Sequence, residues 1–321
     1  MSSRSFAQAF VASCVCLALM LYADVASAQV DLSGAWASFN FQDAQIRGTG
    51  PNYADYLGVP LNASARAAAV GYSATTIEEL QRQCQPYPLH YLFLGLQGLV
   101  FWPTYDRLSG NIVAWNFSAA IDREPGVIWM DGRPHPGPQA LHTFGGFTTG
   151  VWHGNTLETL TTHLADGYLL RNGVPSSNQE TMTMFITRQG DLMTITAIIR
   201  DPVYLTAPYI LSRTWQHTET GGGFGAFYTG RQMQCEPEEY LAMSDGYQVA
   251  AMMPAKNPML HYMPDHYNIP LDAALGGEQT MFPQFAKKLN AGYTRPSGYC
   301  KISCCTGSRD FIDKVLHCPT E

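Results

Sequence analysis

Alternation of apolar and polar residues dominates the middle of this chain. Met182, Met184 and Ile186 alternate with Thr181, Thr183 and Phe185, the period of two expected of a strand with one buried face. Similar runs, rich in Val, Ile, Thr and aromatics, recur as "QGLVFWPTY", "GNIVAWNFS", "GVIWMD", "TLETLTTHL", "QETMTMFITR", "DLMTITAIIR" and "PYILSRTW". Between them stand short turn signals such as "RLSGN" and "RQGD" (188–191), at hairpin spacing. Sequential hairpins of this length favour an antiparallel meander that closes on itself, because closure removes exposed edges. The pattern therefore predicts an all-β fold, a barrel over residues 29–240. The spacing of alternating strands and helices that marks a parallel α/β sheet is missing.

The flanks read differently. "DLSGAWASFNFQD" predicts a first strand, and "NASARAAAVG" and "TTIEELQRQ" predict two short N-terminal helices. "PEEYLAMSDG" predicts another short helix just beyond Cys235. Residues 241–286, with many prolines and few periodic runs, predict an irregular strap over the barrel, and residues 287–321 form a Cys-rich tail.

The first 28 residues carry the marks of a signal peptide. Arg4 supplies a positive start, "AFVASCVCLALMLYA" an apolar centre, and Ala26-Ser27-Ala28 a small-x-small cleavage site. A periplasmic or secreted protein is expected, and no later apolar run approaches the length of a transmembrane segment. Loss of residues 1–28 would take away one Arg and one Asp, so the net charge of −7 would stand. An acidic chain without a basic stripe offers no electrostatic footprint for nucleic acid. Six cysteines follow the leader: Cys84, Cys235, Cys300, Cys304, Cys305 and Cys318. An even number in an exported chain predicts disulfides, the crowded last four among themselves and Cys84 with Cys235. Their spacing lacks the two separated C-x2-C pairs of a zinc site.

Candidate chemistry concentrates in residues 131–164, "DGRPHPGPQALHTFGGFTTGVWHGNTLETLTTHL". His135 or His142 is a candidate acid/base, with Asp131 orienting it and Arg133 holding an anionic group. Arg133 also has a structural reading as an ion pair that holds its loop, with Asp201 the candidate partner. Trp129, Trp152, His153, His163 and Arg213 are candidate ligand-binding residues. Trp102, Trp115, Trp129 and Trp152 together are numerous enough to line an aromatic cavity. The histidines lack the spacing that sets two metal ligands on one strand or helix face, so no metal is expected, and no cofactor motif occurs. Gly146-Phe147-Thr148-Thr149-Gly150 mimics a nucleophile elbow with Thr in place of Ser. The β-rich text that follows denies it the required strand-to-helix turn.

Several blocks together resemble a known group. "WMDGRPHP", "HTFGGFTTGVWHGNTLETLTTHL", "LLRNGVPSSNQETMT" and "DPVYLTAPYILSRTW" are similar to exported bacterial proteins of unknown activity. The pattern of that group runs DGRPHP, HTW-x-GFSTG-x-WEGD, TTHL, RRNGVPRS and DPVYLTEP. The likeness extends over about residues 30–285 and implies a secreted, lipocalin-like barrel. Gly34-Ala35-Trp36 near the start and Arg213 near the end fit such a barrel, where a late Arg packs across an early Trp. This chain departs from the pattern at "WHGN", with His153 and Asn155 in place of Glu and Asp, and at Thr148 in place of Ser. The expected function is binding of a small, partly apolar molecule. The alternative is a cofactor-independent hydrolase, lyase or isomerase using the Asp/Arg/His cluster in 131–153. Convergence of Asp131, Arg133, His135 and His142 on one cavity with Trp152 would favour either of these over a purely structural role.

Overall fold

The computed structural model describes residues 30–38, 56, 58–72, 88–93, 98–119, 126–170, 172–219, 258–261, 264–265 and 268–292. The chain divides into two compact units, Met1–Asp31 and Leu32–Glu321, and the description that follows concerns the second. The leader, the six later cysteines and the predicted helices at 75–83 and 237–246 lie outside the described residues.

Eleven strands are described: β1 (Gly34–Ser38), β2 (Leu99–Tyr105), β3 (Ile112–Ala119), β4 (Gly126–Trp129), β5 (Phe147–His153), β6 (Thr156–Thr162), β7 (Gly167–Leu170), β8 (Val174–Ser176), β9 (Thr181–Gln189), β10 (Leu192–Arg200) and β11 (Tyr209–Thr218). Nine of them close into a barrel in the order β1-β11-β10-β9-β6-β5-β4-β3-β2, and β7 and β8 form a separate two-stranded sheet. The predicted all-β barrel is thus the observed one, and the alternation of Met182, Met184 and Ile186 against Thr181, Thr183 and Phe185 is the observed inside and outside of β9.

One seam differs from a pure antiparallel meander. β4 and β5 pair in parallel, with Ile128 opposite Thr148 and Trp129 opposite Thr149. Parity requires this. Directions cannot alternate all the way round a ring of nine, so at least one neighbouring pair must run the same way. A parallel pair cannot be joined by a tight turn and needs a crossover of about a dozen residues or more. Residues 130–146 are that crossover.

The antiparallel neighbours use short turns. Gly154-Asn155 joins β5 to β6, and Gly190-Asp191 joins β9 to β10. Each glycine has a φ near +60°, as the first central residue of a II′ hairpin turn requires. His153 and Asn155 therefore fall on an exposed hairpin tip. There His153 Nε2 meets Glu158 Oε2 at 3.2 Å.

Inward positions carry the core. Trp36, Trp115, Ile128, Leu157, Met182, Ile195 and Trp215 are all fully buried. Phe101 and Phe117, opposite each other on β2 and β3, stack at 5.4 Å. The expected packing of a late Arg on Trp36 is found with a different residue. The guanidinium over that ring, at 5.0 Å, belongs to Arg188 on β9, while Arg213 is buried on β11 opposite Ile195.

Short elements gather at the barrel end where β5, β9 and β11 begin. Helix α1 (Ala63–Gly71) is capped by Asn62, whose side-chain oxygen accepts from Ala65 N. The same Asn62 donates from Nδ2 to Val203 O at 2.7 Å, tying α1 to the turn after β10. A 3-10 turn at Leu89–Phe93 and the β7–β8 pair complete this floor. Residues 268–292 form short helices α2 (Leu271–Ala274) and α3 (Pro283–Gly292). They contact the same end, where Thr206 Oγ1 donates to Glu278 Oε2 at 3.0 Å. No described helix is long and apolar enough to cross a membrane.

Candidate functional site

The barrel wall separates the sequence-predicted site residues into two groups. Pairing partners in a sheet share a face, so the register shows which side each residue takes. Trp152 is opposite Leu157, Leu157 opposite Ile186, Ile186 opposite Ile195, and Ile195 opposite Arg213. Trp152 and Arg213 thus belong to one row on the inner wall. Trp129, Asp131, Arg133, His135, His142, His153 and His163 lie on the outer side, along the crossover and the outer faces of β5 and β6.

On that outer wall the crossover is stapled down. His135 bridges two threonine hydroxyls, with Nδ1 2.8 Å from Thr162 Oγ1 and Nε2 2.8 Å from Thr149 Oγ1. Burial, and after it the neighbouring His163, holds the His135 imidazole below its ordinary value of 6.5. His163 donates from Nε2 to Gly137 O, and His142 donates from Nδ1 to Leu164 O. The two rings sit 5.0 Å apart. Arg133 forms a bidentate pair with Asp131 and lies 3.5 Å over the Trp129 ring. The side-chain hydrogen bond from Arg133 holds the Asp131 carboxyl below its usual range. Asp201, the expected partner of Arg133, is elsewhere. It is buried at the floor and accepts from Ser177 N and Oγ, Val203 N and Tyr204 N. Among the described residues no His, Cys, Asp or Glu group is arranged to hold a metal.

Thr148 is no nucleophile elbow. It sits inside a continuous strand, faces inward, and its hydroxyl bonds that of Thr161 at 2.8 Å. The glycine two residues on has a packing reason: a Cβ at Gly150 would stand 2.7 Å from Ile128 Cγ2 and 2.9 Å from Met130 Sδ.

On the inner wall, among the described residues, buried polar atoms lack hydrogen-bond partners. Trp115 Nε1 on β3, Trp152 Nε1 on β5 and Thr159 Oγ1 on β6 are all buried and make no hydrogen bond. Thr159 is opposite both Gly150 and Met184, one inward step from Trp152 along the β5–β6 pair. Trp115 is opposite Ile128, which is opposite Thr148. Buried apolar side chains stand opposite two of them, Leu157 across from Trp152 and Met184 across from Thr159. Burial also pushes the Tyr209 phenol, at the inner start of β11, up to about 12.

At the floor lies a dyad that the sequence reading missed. His90, from the 89–93 turn, places Nδ1 2.7 Å from Glu180 Oε1 and Nε2 2.8 Å from Tyr168 O. Both side chains are only 1% exposed. Glu180 Oε2 and, four residues earlier, Ser176 Oγ are buried without a hydrogen bond. A sequence signal for Glu180 did exist. It is one step further along the inward phase of Met182, Met184 and Ile186, which sets a carboxylate on the apolar face. His90 carries no comparable signal.

No family model, curated protein or solved structure matches the chain.

Proposed function

We propose that this protein holds a small, partly apolar molecule inside its barrel. The supporting observation is the set of three unpartnered polar atoms on the inner wall, Trp115 Nε1, Trp152 Nε1 and Thr159 Oγ1. A buried donor left unsatisfied costs about 1–3 kcal/mol, so native interiors rarely keep one without a use. Two of the three are indole N–H groups, which only donate. A ligand that satisfies them presents a carbonyl, ether or similar acceptor on an otherwise apolar body. The residues expected to contact it are Trp115, Trp152 and Thr159, with Arg213 on the row of Trp152.

The compartment belongs to the same proposal. Residues 1–28 act as a leader, the mature protein is periplasmic or secreted, and Cys84, Cys235, Cys300, Cys304, Cys305 and Cys318 form disulfides there. The resemblance to exported bacterial barrels supports this reading. The alternative, a cofactor-independent hydrolase, lyase or isomerase built on Asp131, Arg133, His135 and His142, has less support. Those side chains bond one another or the barrel's outer threonines and carbonyls, on the far side of the wall from Trp152.

Native mass spectrometry of the protein isolated without denaturant tests the interior site. The expected result is a bound species whose occupancy falls in Trp152→Phe, which keeps the ring and loses the N–H. A ligand-free mass for the wild type, or equal occupancy in the variant, would overturn the reading.

A further inference from the structure

The hydrogen-bond geometry of the floor fixes how many protons the His90–Glu180 pair holds. A carbonyl oxygen only accepts, so the Tyr168 O contact requires a proton on His90 Nε2. Between Nδ1 and Glu180 Oε1, 2.7 Å apart, one proton must also sit, since two lone pairs cannot face each other at that distance. Whether this proton rests on nitrogen or oxygen, the pair is neutral as a whole. In both placements Oε2 carries no proton and acts only as an acceptor. It is buried and receives no hydrogen bond.

Glu180 directly precedes β9 and falls on the inward phase of Met182, Met184 and Ile186, at the floor end of the barrel whose inner wall carries Trp115, Trp152 and Thr159. Four residues separate it from Met184, the partner of Thr159, a rise of about 13 Å along a strand. Among the described residues the wall thus offers two indole donors and a hydroxyl, and the floor an acceptor-only carboxylate oxygen, with the Ser176 hydroxyl four residues before it. The pair's neutrality also selects the donor. An ammonium would bring an uncompensated charge into a buried site, which is expensive, whereas a hydroxyl brings none.

We infer that the barrel's ligand carries a neutral hydroxyl group that Glu180 Oε2 reads at the floor, with His90 as the residue that positions the carboxylate. This rests on the interior-site reading above and names the chemistry of one end of that site. The wall atoms take an acceptor oxygen further along, and the ligand's apolar body lies among Met182, Met184 and Leu157.

Three probes of equal heavy-atom count test it: 1-decanol, methyl nonyl ether and decylammonium. Each is titrated into the full-length chain at pH 7 with tryptophan fluorescence as the readout. The ether is less soluble in water than the alcohol, so an indifferent apolar interior favours the ether. The expected result is the reverse, with 1-decanol bound at least tenfold more tightly than either other probe. Glu180→Gln should keep that preference, because its amide donates to the neutral His90 Nδ1 and leaves a carbonyl oxygen at the Oε2 position. Glu180→Met should lose it. An ether bound as tightly as the alcohol by the wild type overturns the floor reading and leaves the interior site standing. Decylammonium bound as tightly as decanol overturns the neutral pair. Absence of binding by all three overturns the interior site and this inference with it.

Discussion

A cluster of three histidines near the end of β6 and a lone histidine near the start of β9 do different work. On the outer wall His135, His142 and His163 bond threonine hydroxyls and main-chain carbonyls within reach of the crossover. At the floor a single imidazole, His90, bonds a buried carboxylate whose second oxygen is left open. The outer group is dense in sequence and closed in chemistry. The inner pair is ninety residues apart and open. Density of reactive residue types along a chain marks a polar segment, whereas the floor carboxylate, far less conspicuous in sequence, keeps one buried oxygen without a hydrogen bond.

Breaking the inner pair should have the larger effect. His90→Leu strands the buried Glu180 carboxyl and should destabilise the fold by about 3–5 kcal/mol in denaturant titration. The double variant His90→Leu/Glu180→Met should recover most of that loss, because an apolar pair of similar volume needs no partner. A double variant as unstable as the single would remove the contrast between the two regions.

His135→Ala should cost less, about 1–2 kcal/mol, since it removes two neutral hydrogen bonds in a partly exposed place. This residue also predicts a pH effect. Its folded value is held below 6.5, so the unfolded chain takes up the proton first. Its stabilisation is complete above about 6.5 and declines as pH falls from there towards the folded value. The fall in Tm between pH 7.5 and 5.5 should therefore be smaller in His135→Asn than in wild type. Smallest of all is Asp131→Asn, on an exposed ion pair, which should leave Tm within experimental scatter.

Much of the fold was legible because a half-buried strand writes its two faces into the sequence. β9, β10 and β11 could be read from alternation, and the tip joining β9 to β10 from "RQGD". The parallel seam was not legible, because parity belongs to the closed ring and no short window contains it. The site was legible only in part. Trp115 and Trp152 could be named as possible cavity residues, but alternation alone does not tell which tryptophans face inward. Trp102 faces out and is 43% exposed. The dyad depends on a contact between a turn at 89–93 and the residue before β9, and local pattern carries no record of so distant a pairing. The polar block "RNGVPSSNQE" reads as a signature in sequence, but that Ser176 Oγ and Glu180 Oε2 within it are buried without a hydrogen bond follows only from the three-dimensional packing.

The odd strand count constrains how this architecture can change. Hairpins are the usual unit of growth or loss in antiparallel sheets, and each adds or removes two strands. Starting from nine, every such event leaves the count odd, so a seam of like direction must persist somewhere in the ring. The crossover 130–146 is the part of the chain that spans this seam. Lengthening or trimming hairpins elsewhere cannot remove such a seam; only the gain or loss of a lone strand could.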